Sequence, residues 1–406
     1  MSEWKEVSLS ELGKTITGKT PSSQYPEDFG DEVPFITPSD SFEKKYISRS
    51  ERYLSRLGSD RLKDKIISSD SIMVTCIGSA MGKVAKNSLP SVTNQQINSI
   101  IVNENFDSDY IYYLFKNNYA VFRNAASGST AIPILNKTDF DNLRFKVELN
   151  LNEQRKMVSI LSTIDDKIEI NNQINQELEA MAKTLYDYWF VQFDFPDQNG
   201  KPYKSSGGKM VYNQELKREI PEGWGVENLF NVAEVQYGYP FSTDYFNSTG
   251  EGVPVIRIRD ILGNDTTNYS TEEVEDKYKI NVGDVLIGMD GNFHMNYWIK
   301  ENCYLNQRVV KVNSDKLPNM VLKYQIEPFI KLREKSVSRT TVGHLSDKDL
   351  KAINVILPKD KYLSSIFEKF ESILENIIIN QQQNQELIQL RDWLLPMLMN
   401  GQVKVE

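Results

Sequence analysis

The segment GKTITGKT, Gly13 to Thr20, has the spacing G-x-x-x-x-G-K-S/T in which backbone amides and a lysine cradle nucleotide phosphates. Such a loop follows a buried strand and opens a helix. Here the lead-in is LSEL and the next residues are Pro21, Ser22 and Ser23, which puts proline in the first turn of the required helix. The context favours a turn presenting Lys19 and Thr20 over a nucleotide hydrolase. Other catalytic chemistry is thinly supplied. His294 and His344 are the only histidines, too few for a multi-histidine metal site or a credible triad. Cys76 and Cys303 lack metal or disulfide spacing and read as small buried apolar residues of a reducing compartment. Asp284 and Asp290 could begin a metal pair, but no further ligands accompany them.

Polar and basic side chains in turn-rich segments offer a different chemistry, hydrogen bonding to a ligand; were that ligand DNA, they could meet base edges. In the first half of the chain the candidates are Lys19, Thr20, Thr37, Ser39, Asp40, Ser79, Lys83, Gln95, Gln96, Ser129 and Thr130. In the second half they are Tyr237, Tyr239, Arg257, Arg259, Asn292, His294, Gln307, Arg308, Arg339 and Thr340. Glutamine suits a two-bond contact with adenine, and lysine suits guanine or phosphate. Arg257 and Arg259 lie two apart in VIRIRD, so a strand would put both guanidinium groups on one face. A structural reading stands beside each: Thr37, Asp40 and Asn94 can close turns, and Gln95 can sit in a strand. Gly18, Gly78 and Gly128 suit backbone turns, and a lone His294 can be structural.

These residues need a scaffold, and 406 residues suffice for two or three domains with their own cores. At 40% hydrophobic and 25% charged residues the composition is that of a soluble globular protein. No apolar run approaches the roughly 20 residues that cross a bilayer, and MSEWKEVSLSELG has no signal-peptide core. The expected location is the cytoplasm, without membrane partners. A net charge of -9 speaks against a simple basic DNA-binding domain.

The chain is written twice. Trp4, Leu9, Gly18, Pro34, Ile36 and Asp40 match Trp224, Leu229, Gly238, Pro254, Ile256 and Asp260 at an offset of 220. Asp70 then meets Asp284 at 214, Asn94 and Gln95 meet Asn306 and Gln307 at 212, and Leu135 and Asp139 meet Leu345 and Asp349 at 210. Finally INNQINQEL from Ile170 meets INQQQNQEL from Ile379 at 209. The offset only shrinks, as deletions in surface loops would make it do. The partner of GKTITGKT is AEVQYGYP, without lysine or terminal hydroxyl, which removes the phosphate chemistry from the second copy.

Each copy has a front part with short β-rich runs such as VPFIT and VPVIRI, and a helical back part. In the first back part Met157, Leu161, Ile164, Ile168, Asn171, Asn175, Leu178, Ala182, Leu185 and Trp189 recur at alternating steps of four and three. Adding 209 gives Ile366, Phe370, Ile373, Ile377, Asn380, Asn384, Leu387, Arg391, Leu394 and Leu398. An asparagine on such a seam lowers stability but fixes register and partner, so the matched asparagines imply that the two helices pack on each other. A helix from Glu153 to Val191 would run about 58 Å. The two helical stretches each carry a net charge of -3, leaving -3 for the rest, so basic faces remain available locally. The expected class is α+β, with two repeated α/β domains, a pseudo-twofold internal repeat and two long helices packed as an antiparallel coiled coil. The segments are a domain at 1–150, a spacer helix at 151–195, a linker at 196–222, a domain at 223–358, and a distal helix with tail at 359–406.

The order of LGKTITGKTPSS, PFITPSD, YISRSERYLS, MVTCIGSAMGKVA, TNQQINSII and GSTAIPILNKTDF, followed by EQRKMVSILSTIDDKIEINNQINQELEAMAKTLYDYWFVQFDF, resembles the specificity subunit of a type I restriction-modification enzyme. The resemblance covers nearly the whole chain, and the second module departs most, with LNQRV for TNQQ and MDGNFHMN for CIGSAMGK. It implies two target-recognition domains that each read half of a split double-stranded DNA site, with helices acting as a ruler. It further implies two methyltransferase subunits docked on the helices, and restriction subunits that translocate and cleave. S-adenosylmethionine, ATP and Mg would then bind those partners, leaving this chain non-catalytic and free of cofactors. No Asn/Asp-Pro-Pro-aromatic run is present, in keeping with that division. A coiled-coil scaffold that does not touch DNA is the competing reading.

Overall fold

The computed structural model describes residues 3–78, 80–126, 133–337, 343–358 and 363–405. The chain divides into two compact units, Met1–Lys167 with Leu387–Glu406, and Ile168–Glu386. Each long helix, Leu151–Tyr186 and Ser364–Met399, therefore has residues in both units rather than forming a segment of its own.

In the first unit, strand Trp4–Ser8 pairs antiparallel with Arg144–Glu148, so the two ends of the module are tied together. The buried Glu148 carboxylate seals this closure by accepting from the Glu3 and Asn150 amides at 2.7 and 2.9 Å. Between these ends lie two five-stranded sheets. One runs Gly13–Thr17, Ile97–Val102, Ile72–Thr75, Val84–Asn87, Tyr46–Ile47; the other runs Phe29–Gly30, Tyr53–Leu54, Val33–Ile36, Ser91–Thr93, Ile66–Ile67. Helix Ser108–Asn117, capped by the Asp107 carboxylate, buries six consecutive side chains from Tyr110 to Phe115. A helix apolar on all sides must be enclosed. It lies in one core with Met157, Leu161, Leu395, Leu398 and Met399.

The second unit repeats the plan. Strand Gly225–Asn228 pairs with Asn354–Leu357, and the strands that lie between them in the chain form a four-stranded and a five-stranded sheet. The repeat extends to strand register. Phe35 and Ile36 pair in parallel with Val92 and Thr93, while Val255 and Ile256 pair in parallel with Tyr304 and Leu305.

The helix seam is buried or half-buried throughout, and its asparagines meet within the second unit. Asn171 donates to Asn384 Oδ1 at 2.9 Å and to Gln383 Oε1 at 2.8 Å, and Asn384 donates to Asn172 at 2.9 Å. Asn380 donates to Asn175 Oδ1 at 2.9 Å, and Asn175 to the Ile377 carbonyl at 3.3 Å. The earlier asparagine of one helix thus meets the later one of the other, which is antiparallel pairing. Ile164, Ile373 and Ile377 are buried, and Ile168, Leu178 and Leu387 half-buried.

Two expectations need correction. Helical geometry ends before 195: the α-helix stops at Tyr186 and a π turn covers Asp187–Val191. That turn seats Phe190 against Trp224 and Phe370, with ring centroids 5.7 and 6.1 Å apart, so aromatic packing overrides the helical period. Segment 196–222 is not simply a linker. It contains the antiparallel hairpin of Met210–Asn213 with Arg218–Pro221, and Tyr203 stacks on Phe195 at 4.7 Å.

Candidate nucleic-acid interface

Parallel pairing sends two chains out of a sheet at the same edge. In the first module the strands Val33–Ile36 and Ser91–Thr93 are followed there by the turns Thr37–Asp40 and Asn94–Gln96. A third segment joins them: the Gly18 amide donates to Ile97 O at 3.1 Å, the Lys19 amide to Thr93 O at 2.8 Å, and the Thr20 hydroxyl to Gln95 Oε1 at 2.5 Å. The approach is so close that a Cβ on Gly18 would sit 2.1 Å from the Asn94 carbonyl oxygen. The phosphate-loop pattern is therefore a sheet feature. Gly13–Thr17 is a strand antiparallel to Ile97–Val102, and no helix opens at Lys19 or Thr20; the next element is a single 3-10 turn at Pro26–Asp28.

Lys19, Thr20, Ser39 and Gln95 are exposed in this cluster, and Thr37 and Gln96 half-exposed. The hydroxyls of Thr37 and Ser39 hydrogen-bond at 2.7 Å, and Gln96 Oε1 accepts from Asn94 at 3.0 Å. Asp40 is a correction: it is 7% exposed, and its carboxylate accepts from the Thr37 and Glu51 amides at 2.7 and 2.9 Å. It closes a turn and cannot read a base. The repeat held the signal, because Asp40 and Asp260 agree where copies with different reading chemistry should differ. Lys83 engages Glu43 at 2.5 Å. Ser79, Ser129 and Thr130 lie outside the described residues.

The second module assembles the same three turns. The Gly238 amide donates to Val309 O and the Tyr239 amide to Leu305 O, both at 3.0 Å, and a Cβ on Gly238 would lie 1.9 Å from Asn306 O. The strand Val253–Ile256 ends before the arginines, however. The Asp260 carboxylate accepts from the Arg257 amide at 2.9 Å and starts a one-turn 3-10 helix, Ile258–Asp260. Arg257 and Arg259 therefore do not share a strand face, because a side-chain cap overrides the alternating pattern. They nonetheless line one cavity of about 350 Å³ with Asn306, Gln307 and Arg308.

Each arginine is held. The Arg257 guanidinium lies 4.6 Å from the Phe246 ring centroid, Arg259 donates to Asn268 Oδ1 at 3.3 Å, and Arg308 Nε pairs with Asp290 at 3.3 Å. Asp290 is fixed in turn by His344 Nδ1 at 2.7 Å. Phe246, Asn268, Asp290 and His344 were not singled out as supports from sequence, since each is distant in the chain or carries no local pattern. Asp284 is buried, accepting from the Asn281 amide at 2.7 Å and Asn313 at 3.1 Å. Among the described residues no cluster suits a metal ion.

The remaining candidates are differently placed. Tyr237 donates its hydroxyl to Asp347 at 2.7 Å, and burial, reinforced by that carboxylate, pushes its pKa well up, which keeps it a donor. Tyr239 donates to Glu272 at 2.9 Å. Asn292 is exposed, and its carbonyl accepts from the amide of half-buried His294 at 2.8 Å. Arg339 and Thr340 lie outside the described residues.

Residues 1–180 and 221–389 match the family described as the type I restriction modification DNA specificity domain. The chain belongs to that family. The two matched ranges each contain one copy of the repeat. This specificity-domain chain is 28% identical along its full length to the type I restriction enzyme MjaIX specificity subunit of Methanocaldococcus jannaschii, covering 94% of it. It is 22% identical to the type I restriction enzyme HindI specificity subunit of Haemophilus influenzae, over 99% of this chain and all of that one. Among solved structures, the fold is similar to the type I restriction-modification S subunit from M. genitalium, with a TM-score of 0.59, 16% identity, and coverage of 98% and 96% of the two chains. The function of the specificity-domain chain is DNA target recognition within a restriction-modification system. No helix among the described residues is long and apolar enough to cross a membrane.

Proposed function

We propose that this chain is the non-catalytic specificity subunit of a type I restriction-modification complex, and that each module reads one half of a split DNA site. One observation carries the reading. The same three-turn cluster, on the same parallel strand pair, occurs in both modules with different exposed or half-exposed side chains at matching positions: Lys19, Thr37, Ser39 and Gln96 against Tyr239, Arg257, Arg259 and Arg308. One scaffold with two sets of hydrogen-bonding groups suits two different half-sites. Two methyltransferase subunits dock on the helices, restriction subunits join them, and S-adenosylmethionine, ATP and Mg bind to those partners in the cytoplasm. Partner subunits also supply much of the phosphate neutralisation that a chain of net charge -9 lacks.

The test is a genome-wide map of methylated adenines in the source cell with and without this gene. Methylation should vanish at one motif of two short half-sites around a fixed gap. An unchanged map in cells that express the methyltransferase subunits overturns the reading. The helices set the gap. Removing one heptad from each shortens the rod by about 10.5 Å, so the gap in the methylated motif should shrink by about three base pairs. A gap of unchanged length would reject the ruler.

A further inference from the structure

The second module carries arginine where the first carries neutral side chains. Arg257 follows Ile256 as Thr37 follows Ile36, and Arg308 stands three residues past Leu305 as Gln96 stands three past Thr93. Because the paired strands share register in both modules, these are the same two points on the same scaffold.

We infer that the half-site of the second module contains two guanine-cytosine pairs, one read by Arg257 and one by Arg308. This rests on the reading above, in which each module recognises one half-site. The geometry distinguishes reading a base from gripping a phosphate. The Arg257 guanidinium lies over the Phe246 ring, 4.6 Å from its centroid, and among the described residues its N–H groups make no hydrogen bond or ion pair. Asp290 takes Nε of Arg308, and no other hydrogen bond or ion pair engages that guanidinium among the described residues. His344 holds Asp290 in place from its other oxygen. A planar fork fixed this way presents paired donors matched to O6 and N7 of guanine. A carboxylate beside Arg308 also offsets the bare positive charge on which a phosphate contact depends, while leaving the fork's directionality intact. The cavity of about 350 Å³ between the two arginines, bordered by Asn306 and Gln307, gives room for base edges to enter. Thr37 and Gln96 offer no guanidinium at these points, so the two half-sites differ there.

The experiment uses the full chain in complex with its methyltransferase subunits, with binding measured on duplexes in which each base pair of the motif is replaced in turn. Arg257→Gln and Arg308→Gln should each lower discrimination about 10- to 100-fold at one G·C pair, a different pair for each, and leave the other half-site unaffected. Asp290→Asn frees Arg308 and should weaken discrimination at the Arg308 pair alone. Thermal unfolding separates these effects from loss of fold, and since the arginines stand on different turns, either variant alone carries the test. A half-site with fewer than two G·C pairs overturns the inference. So does a variant that weakens binding evenly across all duplexes, which is the mark of a phosphate contact. If the wild-type complex recognises no split motif, the reading beneath fails; if it does but the second half-site lacks the guanines, only this inference fails.

Discussion

Exchange of residues 1–150 for the matching module of another family member is expected to replace every read base of one half-site and none of the other. The first module is suited to such a transfer because its ladder, Trp4–Ser8 on Arg144–Glu148, closes it on itself, and its turn cluster is held by its own backbone. It is not wholly independent. Gln154, buried just beyond the graft, donates to Glu148 O and accepts from the Asp107 amide, both at 2.7 Å. Tyr113 donates to Asp165 at 2.6 Å, and helix Ser108–Asn117 shares a core with Leu161, Leu395 and Leu398. A graft that keeps these contacts should unfold at the wild-type temperature and direct the methyltransferase subunits to a new half-site. If such a folded graft altered both half-sites, or neither, the modular account would fail.

Arg391→Ala is expected to destabilise the first unit by about 3 to 5 kcal/mol, the range for breaking one side of a buried ion pair. Arg391 Nη1 donates to Asp165 Oδ1 at 2.8 Å, and both side chains are mostly buried. Tyr113 satisfies the other carboxylate oxygen; burial, together with Asp165, raises its pKa far above the usual range, so it remains a donor at every physiological pH. Removing the guanidinium strands a carboxylate that this single hydroxyl cannot stabilise. The double variant Asp165→Leu with Arg391→Leu should recover most of the loss, since apolar replacement of a buried pair is often neutral or favourable. Guanidinium denaturation of the single and double variants checks this. Equal loss in both would mean that the site matters for its shape rather than its charge.

Much of this architecture was legible because it is periodic. A seam at steps of four and three reports burial along one helix face, and asparagines at Asn171, Asn175, Asn380 and Asn384 announce a partner, because a buried amide needs one. The seam also carried Arg391, but nothing nearby in sequence named Asp165 as its counter-charge. The turn clusters were legible in part. Lys19, Gln95, Arg257, Arg259, Gln307 and Arg308, singled out by residue type, gather at those turns, whereas Asp40 was misread because a carboxylate that caps a backbone amide looks, in sequence, like one free to meet solvent.

By itself, the sequence determined the duplication, the α+β class and the pairing of the long helices, since each is written in repeats or spacings local to the chain. Only the tertiary structure decided that strands Val33–Ile36 and Ser91–Thr93 run parallel, that three distant turns meet at their ends, and that Leu387–Glu406 joins the first module's unit. It also decided that Arg257 leaves the sheet while still facing a cavity with Arg308. These outcomes depend on contacts between segments far apart in the chain, where strand order, close approach at Gly18 and Gly238, and side-chain caps outweigh local propensity.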